Sequence, residues 1–348
     1  PMLNSVIEDR GAPAMADEVS GEAPIAQPPP PPPASTVGRV VTVLLVCGPL
    51  VGLAGFLALG WGHLSIANLV LATVLYLVTG FGVTVGFHRL FAHHSFKARR
   101  VLKVVLAVAG SMALEGSIVS WVATHRRHHV SSDQPADPHS PTRYGTGHMN
   151  TVRGFVWAHV GWLFSPDTTD NKRFAPDLLR DPDLRTVDRL FPVVAITSLA
   201  IPFAFGWIVT GTLAGAFAAF LWAGLIRMAL LHHVTWSINS VCHIWGRRPF
   251  ATGDRSTNVA ALAVVSLGEN WHNFHHAAPA SARHGVLPHQ VDPAARLIRL
   301  FEQVGWASKV RWPTAAQIAS SGTGVADPGA VPLPALCPEE SQEMALDG

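Results

Sequence analysis

The sequence predicts an all-α integral membrane protein, with four transmembrane helices beneath a cytosolic helical cap that holds a histidine-rich dimetal site. Three observations predict it. The 348 residues are 49% hydrophobic and only 14% charged, whereas a soluble domain carries about 25% charged residues. Residues 40–61, 64–87 and 190–210 contain no charged side chain, and 213–234 contains only Arg227. Each is long enough for the ~20 residues that cross ~30 Å of hydrocarbon. Finally, eight of the 18 histidines fall in three short tracts, His88-Arg-Leu-Phe-Ala-His93, His125-Arg-Arg-His128-His129 and His272-Asn-Phe-His275-His276.

Taken in order, residues 1–38 are rich in Pro, Ala, Glu and Ser, with six prolines at 28–33. No apolar period develops there, so a disordered cytosolic tail with a stiff polyproline stretch is expected, and it lacks a signal-peptide core. The membrane domain runs over 39–313. Gly62-His63 separates the first two spans and Gly211-Thr212 the last two, giving two tight hairpins. Their turns carry no Lys or Arg, while Arg89, Arg99, Arg100, Lys103, Arg126, Arg127, Arg247, Arg248 and others lie on the opposite side. The positive-inside rule therefore puts both termini and the tracts on the cytoplasmic face of the cell membrane. Segments 88–189 and 235–313 form the cap.

Residues 101–119 test this layout, being apolar but containing Lys103 and Glu115. One crossing there would set the first two histidine tracts ~30 Å apart on opposite faces, so the segment reads as a re-entrant or interfacial helix. Residues 259–267 are too few to span. Residues 292–304 read as an amphipathic helix with Ala295, Leu297, Ile298, Leu300 and Phe301 on its apolar face. Residues 314–348 return to Ala, Gly, Ser and Pro and read as a disordered tail.

His125, His128 and His129 stand at i, i+3 and i+4, as do His272, His275 and His276, so each trio shares one helical face. His88 and His93 are five residues apart, about 140° round a helix, and converge only where the helix ends or distorts. Neutral imidazole is the commonest metal ligand, and eight exceed the needs of one ion, so two metals are expected. The residues alone leave iron, zinc and manganese open. A chance H-x-x-H-H, or structural histidines, does not account for two such trios and a pair on one face. The H-E-x-x-H motif of zinc proteases is absent, and carboxylate ligands at the E-x-x-H spacing of ferritin-like bundles are read as missing. Cys47, Cys242 and Cys337 form no CxxC pair, and Cys242 reads as a buried thiol. A net charge of +2 shows no nucleic-acid footprint.

The three tracts resemble the histidine boxes of the membrane-bound fatty acyl desaturases, most closely the stearoyl-CoA (delta-9) branch. Thr235-Trp236-Ser-Ile-Asn239-Ser240-Val-Cys-His243, Arg248-Pro249, Ser266-Leu-Gly268-Glu269, Asp137-Pro138-His139 and His159-Val-Gly-Trp162 extend the likeness over about 40–312. The resemblance implies a dimetal centre on His88, His93, His125, His128, His129, His243, His272, His275 and His276, with Asn239 bound through water. It implies two iron ions, O₂ as co-substrate, and Thr235 and Trp236 at the bend of a substrate tunnel. The implied reaction inserts a cis double bond between carbons 9 and 10 of a saturated 16- or 18-carbon chain, carried on CoA or a membrane lipid. Two electrons come from an external donor, a ferredoxin or a flavin/iron–sulfur reductase, since no haem, flavin or nicotinamide motif is present. Arg227 matches a family arginine, with snorkelling as the alternative. His94, His232 and His233 match no ligand position. A membrane di-iron hydroxylase or monooxygenase is the competing enzyme. A metal transporter competes from outside enzymology, but would place charged groups along a midplane path.

Overall fold

The computed structural model describes residues 36–55, 57–58 and 65–322. The first hairpin turn, most of the N-terminal tail and residues 323–348 lie outside them. Among the described residues the chain is mostly helical, with one two-stranded antiparallel ribbon, β1 (Lys97–Ala98) and β2 (Ala307–Ser308).

Helix α1 spans Thr36–Gly55, and its apolar part, Val40–Gly55, is shorter than a bilayer crossing; the rest of the expected span falls mainly outside the described residues. Among the described residues, three helices are long and apolar enough to cross a membrane: Ile66–Ala92, Phe191–Thr210 and Leu213–His243. The first joins α2 (Ile66–Phe81) to a π-helix over Gly82–Ala92. The second is α9 (Phe191–Thr210). The third joins α10 (Leu213–Ala219), a π-turn at Phe220–Ile226 and α11 (Arg227–Ser240). Gly211, left-handed at φ 65°, makes the turn between the second and third, a conformation glycine adopts at little cost.

Residues 101–119 form no single helix long enough to cross a membrane. They form α3 (Arg100–Ser111), about 18 Å long, a bend, and the start of α4 (Ile118–Ser131). Helix α3 lies against the π-helix at backbone contact. A Cβ on Gly82 would stand 2.2 Å from the Gly110 nitrogen, and one on Gly86 3.0 Å from the Leu106 oxygen. This packing gives the core its largest apolar cluster, which includes Phe87, Leu102, Leu106, Ile118 and Val122.

Beyond it come α5 (His148–His159) and the short helices α6 (Asn171–Phe174), α7 (Pro176–Arg180) and α8 (Pro182–Arg189). Helix α12 (His272–Ala277) carries the third tract, and α13 (Pro293–Gln303) closes the domain. The buried face of α13 is Ala294, Ala295 and Ile298, while Leu300 is half exposed. The alanine step, not the larger leucine, meets the core.

One expectation is corrected and one alternative is excluded. Residues 314–322 are not part of a disordered tail: α14 (Ala315–Ser321) begins at a capping box on Thr314 and Gln317, and the Ala251 nitrogen donates to the Ser321 oxygen at 2.8 Å. Nor does Arg227 snorkel. It is buried and donates to the Ala223 oxygen (3.1 Å), the Met112 oxygen (3.4 Å) and the Ser198 hydroxyl (3.2 Å), tying three helical segments through neutral acceptors.

Candidate metal centre

The five-residue step of the first tract is solved by the π-helix. Its hydrogen bonds run i to i+5, and the His93 nitrogen donates to the His88 oxygen at 3.1 Å. The two rings then lie edge to face, 4.9 Å apart. Helix α4 supplies His125, His128 and His129, α12 supplies His272, His275 and His276, and a 3₁₀ turn after α11 supplies His243.

These nine side chains form two clusters, within each of which the ligand nitrogens lie no more than 4.8 Å apart. One holds His88, His93, His125, His129 and His275; the other holds His128, His243, His272 and His276. Each trio is divided between clusters, so α4 and α12 both serve both. The clusters adjoin where the His129 and His276 rings stack at 4.5 Å.

Within them, Nε2 faces Nε2: His93 to His125 at 2.8 Å, His129 to His275 at 2.9 Å, His88 to His275 at 3.0 Å, His272 to His276 at 3.0 Å and His243 to His272 at 3.1 Å. Four carboxylates explain the orientation. Asp137 accepts from His128 Nδ1 at 3.0 Å, Asp133 from His243 Nδ1 at 3.0 Å, Asp254 from His276 Nδ1 at 2.5 Å, and Glu269 pairs with His88 Nδ1. An imidazole that donates from Nδ1 presents a lone pair at Nε2, the arrangement of metal-ligating histidines. Lone pairs gathered at such distances repel unless a cation lies among them, and the spacings suit nitrogens about 2.1 Å from a shared ion. The buried His128 Nε2 has no hydrogen-bond partner among the described residues. The residues present therefore fit two metal ions.

The electrostatics agree. Burial, and then neighbouring imidazoles, hold His93, His125, His129, His272 and His275 well below the ordinary histidine pKa. They are neutral and able to coordinate. Burial opposes ionisation of Asp137 and Glu269, but adjacent histidines, with Arg89 at Glu269, outweigh it and keep both below the ordinary carboxylate range.

A cavity in two limbs reaches this centre. The larger, about 250 Å³, is walled by Leu45 and Val46 of α1, Leu114, Trp162 and Trp236. The smaller, about 50 Å³, runs between Val83, Leu231, Val234, Val265 and Leu267. Both include Trp121, His125, Thr235 and Asn239. Where they meet, Glu115 accepts hydrogen bonds from Thr235 Oγ1 (2.8 Å) and Trp121 Nε1 (3.1 Å), and Trp121 stacks on His125 at 5.1 Å. Burial pushes the Glu115 carboxyl up to about 7, against those two hydrogen bonds. Thr235 thus lies at the junction and Trp236 in the larger limb.

His94, His232 and His233 stay outside the clusters. His94 lies 3.3 Å from Asp177, His232 meets the Ala113 oxygen at 2.7 Å, and His233 meets His159 at 3.0 Å. Sequence reasoning missed Glu115, Asp133 and Asp254. It also passed over the E-x-x-H step from Glu269 to His272, whose carboxylate turns to His88 instead. The available signal was acidic residues close to the histidine tracts.

Comparison with known proteins agrees with this geometry. The fatty acid desaturase family model matches residues 59–303. An sn-1 stearoyl-lipid 9-desaturase of Anabaena variabilis is 36% identical over 72% of this chain and 86% of its own length. An acyl-CoA C20 Delta5-desaturase of Anemone leveillei is 38% identical over 69% of this chain and 72% of its own. A hex-5-enoyl-[acyl-carrier protein] acetylenase of Moorena producens (strain JHB) is 38% identical over 78% and 85%. With paired histidine clusters at the junction of an apolar cavity, and these relatives over most of its length, the chain belongs to the fatty acid desaturase family.

Proposed function

We propose that this protein is a di-iron, O₂-dependent acyl desaturase that inserts a cis double bond between carbons 9 and 10 of a saturated 16- or 18-carbon chain. The observation that carries the reading is the meeting of both cavity limbs at His125 and Asn239, beside the two histidine clusters. The nine clustered histidines are the ligands, with Asn239 acting through water. Bound iron, with O₂ and two electrons, supplies the oxidising power to break unactivated C–H bonds, which no side chain has.

The rest is done by the chain's own residues. The apolar limbs hold the acyl chain on either side of the junction, and Trp121 and Thr235, fixed by Glu115, present one pair of carbons to the centre. Asp133, Asp137, Asp254 and Glu269 keep the Nδ1 protons and so hold the Nε2 lone pairs inward. The three apolar helices lie in the cell membrane, with α1 beside them completing a fourth span, and the cap, the centre and both termini face the cytoplasm. The distribution of Lys and Arg supports that orientation. The relatives' names include lipid-, CoA- and acyl-carrier-protein-linked chains. For this chain we assign acyl-CoA, with the membrane lipid as the alternative carrier. A ferredoxin or a flavin/iron–sulfur reductase provides the electrons.

Expression in a strain lacking its own desaturase, followed by double-bond mapping of the lipids, tests the reading. Delta-9 monoenes are expected. Hydroxylated product without alkene would replace it with the hydroxylase reading, and an alkene at another position would remove the regiochemical part.

A further inference from the structure

Behind the first cluster, away from the acyl cavity, lies a second cleft of about 400 Å³ with a different character. Arg283, Arg296 and Arg299 stand on it, with Trp312 and Pro313 forming part of its wall. All three arginines are exposed. Arg299 pairs with Glu302 at 2.8 Å and lies 4.1 Å over the Trp312 ring. Arg283 donates to the Gly285 oxygen at 2.7 Å, and neither it nor Arg296 has an acidic partner among the described residues. Among the described residues that line the cleft the one carboxylate, Asp292, is buried. Its Oδ1 caps α13 through the Ala295 nitrogen and accepts from Arg89 Nη2 at 3.0 Å. The same Arg89 nitrogen donates to Glu269 at 3.1 Å, and Glu269 pairs with His88.

The cleft thus joins unneutralised positive charge and an aromatic wall to a hydrogen-bonded path that ends on a histidine of the metal centre: Asp292, Arg89, Glu269, His88. Arg89 is fully buried, with its charge held by Asp292 and Glu269, so the path is rigid. We propose that this cleft is where an acidic one-electron carrier protein docks, and that the Asp292–Arg89–Glu269–His88 path couples it to the centre. The proposal rests on the desaturase reading. Each encounter would oxidise the carrier by one electron, which metal bound by the histidine clusters would take up. Two encounters, with two protons and the two hydrogens lost from the chain, convert one O₂ to two waters and leave one alkene. A small cationic cleft suits such a partner, because redox encounters use small interfaces and depend on electrostatic steering. An anionic lipid surface would use the arginines but not the path to His88.

The test uses the full chain in detergent with a plant-type [2Fe–2S] ferredoxin and, separately, cytochrome b5 as acidic carriers. Arg296→Glu, at an exposed position, should weaken equilibrium binding of at least one carrier about tenfold or more at low salt and flatten the salt dependence of binding. The KM for that carrier should rise in parallel. The charge-matched control Arg153→Glu on α5 should leave both unchanged. Single-turnover alkene formation by dithionite-reduced protein should be the same in wild type and Arg296→Glu; its absence from both would count against the desaturase reading itself, not the docking site. Unchanged carrier binding, an equal loss in Arg153→Glu, failure of the wild type to bind either carrier, or an effect confined to phosphatidylglycerol vesicle binding would overturn the proposal.

Discussion

Glu115→Gln gives a test that needs neither metal nor substrate. The carboxyl sits between Thr235 and Trp121 and is pushed up to about 7 by burial, against the hydrogen bonds those two residues donate. In its neutral form one oxygen accepts from Trp121 Nε1 while the hydroxyl donates to Thr235, whose own hydroxyl turns to receive it. A glutamine amide reproduces that pattern. The folded protein therefore holds a proton that the unfolded chain releases near pH 4.5, so this residue's contribution is fully present below about 4.5 and is lost as pH rises through about 7. The difference between 4.5 and about 7, at 1.36 kcal/mol per unit, is about 3 kcal/mol. Thermal unfolding in detergent should show nearly equal Tm for wild type and variant at about pH 5, with the wild type several degrees lower by about pH 8. Parallel pH profiles for the two proteins would refute the burial argument at this residue.

Two further outcomes follow from the cavity and the carboxylate shell. Leu231→Ala enlarges the smaller limb beside Val83 and, if that limb takes the methyl end of the acyl chain, should shift the product profile toward longer chains, at about 2–5 kcal/mol of stability; an unchanged profile in folded protein would remove the smaller limb from that role. Asp254→Asn leaves His276 without its carboxylate and should lower metal affinity by about 10–100-fold in a chelator competition, and wild-type affinity would show that the carboxylate does not tune the site.

Much of the helical layout was legible because charge is scarce in lipid: the runs 64–87, 190–210 and 213–234 each overlap one of the three helices that, among the described residues, are long enough to cross. The grouping of the histidines was legible because helical spacing fixes which of them share a face. Their division into two clusters was not, since it depends on how α4 and α12 pack against each other. The distortion required between His88 and His93 was foreseeable, but its form as a π-helix, packed closely on α3 at Gly82 and Gly86, was not. Asp133 and Glu269 stand next to the histidine tracts, but their partners were hidden by sequence distance, with His243 110 residues from Asp133 and Arg89 180 from Glu269. Arg227 illustrates the same limit: its partners come from Met112 and Ser198, which no local pattern links to it.

Metal content addresses the central claim most directly. Purified full-length protein, loaded with ferrous iron and washed with a weak chelator, should retain two iron ions per chain by elemental analysis. His128→Ala, which removes a nitrogen from the four-histidine cluster alone, should retain about one and form no alkene while remaining in the membrane. A wild-type chain that holds no iron, or a His128→Ala protein that keeps both ions and still makes alkene, would contradict the account.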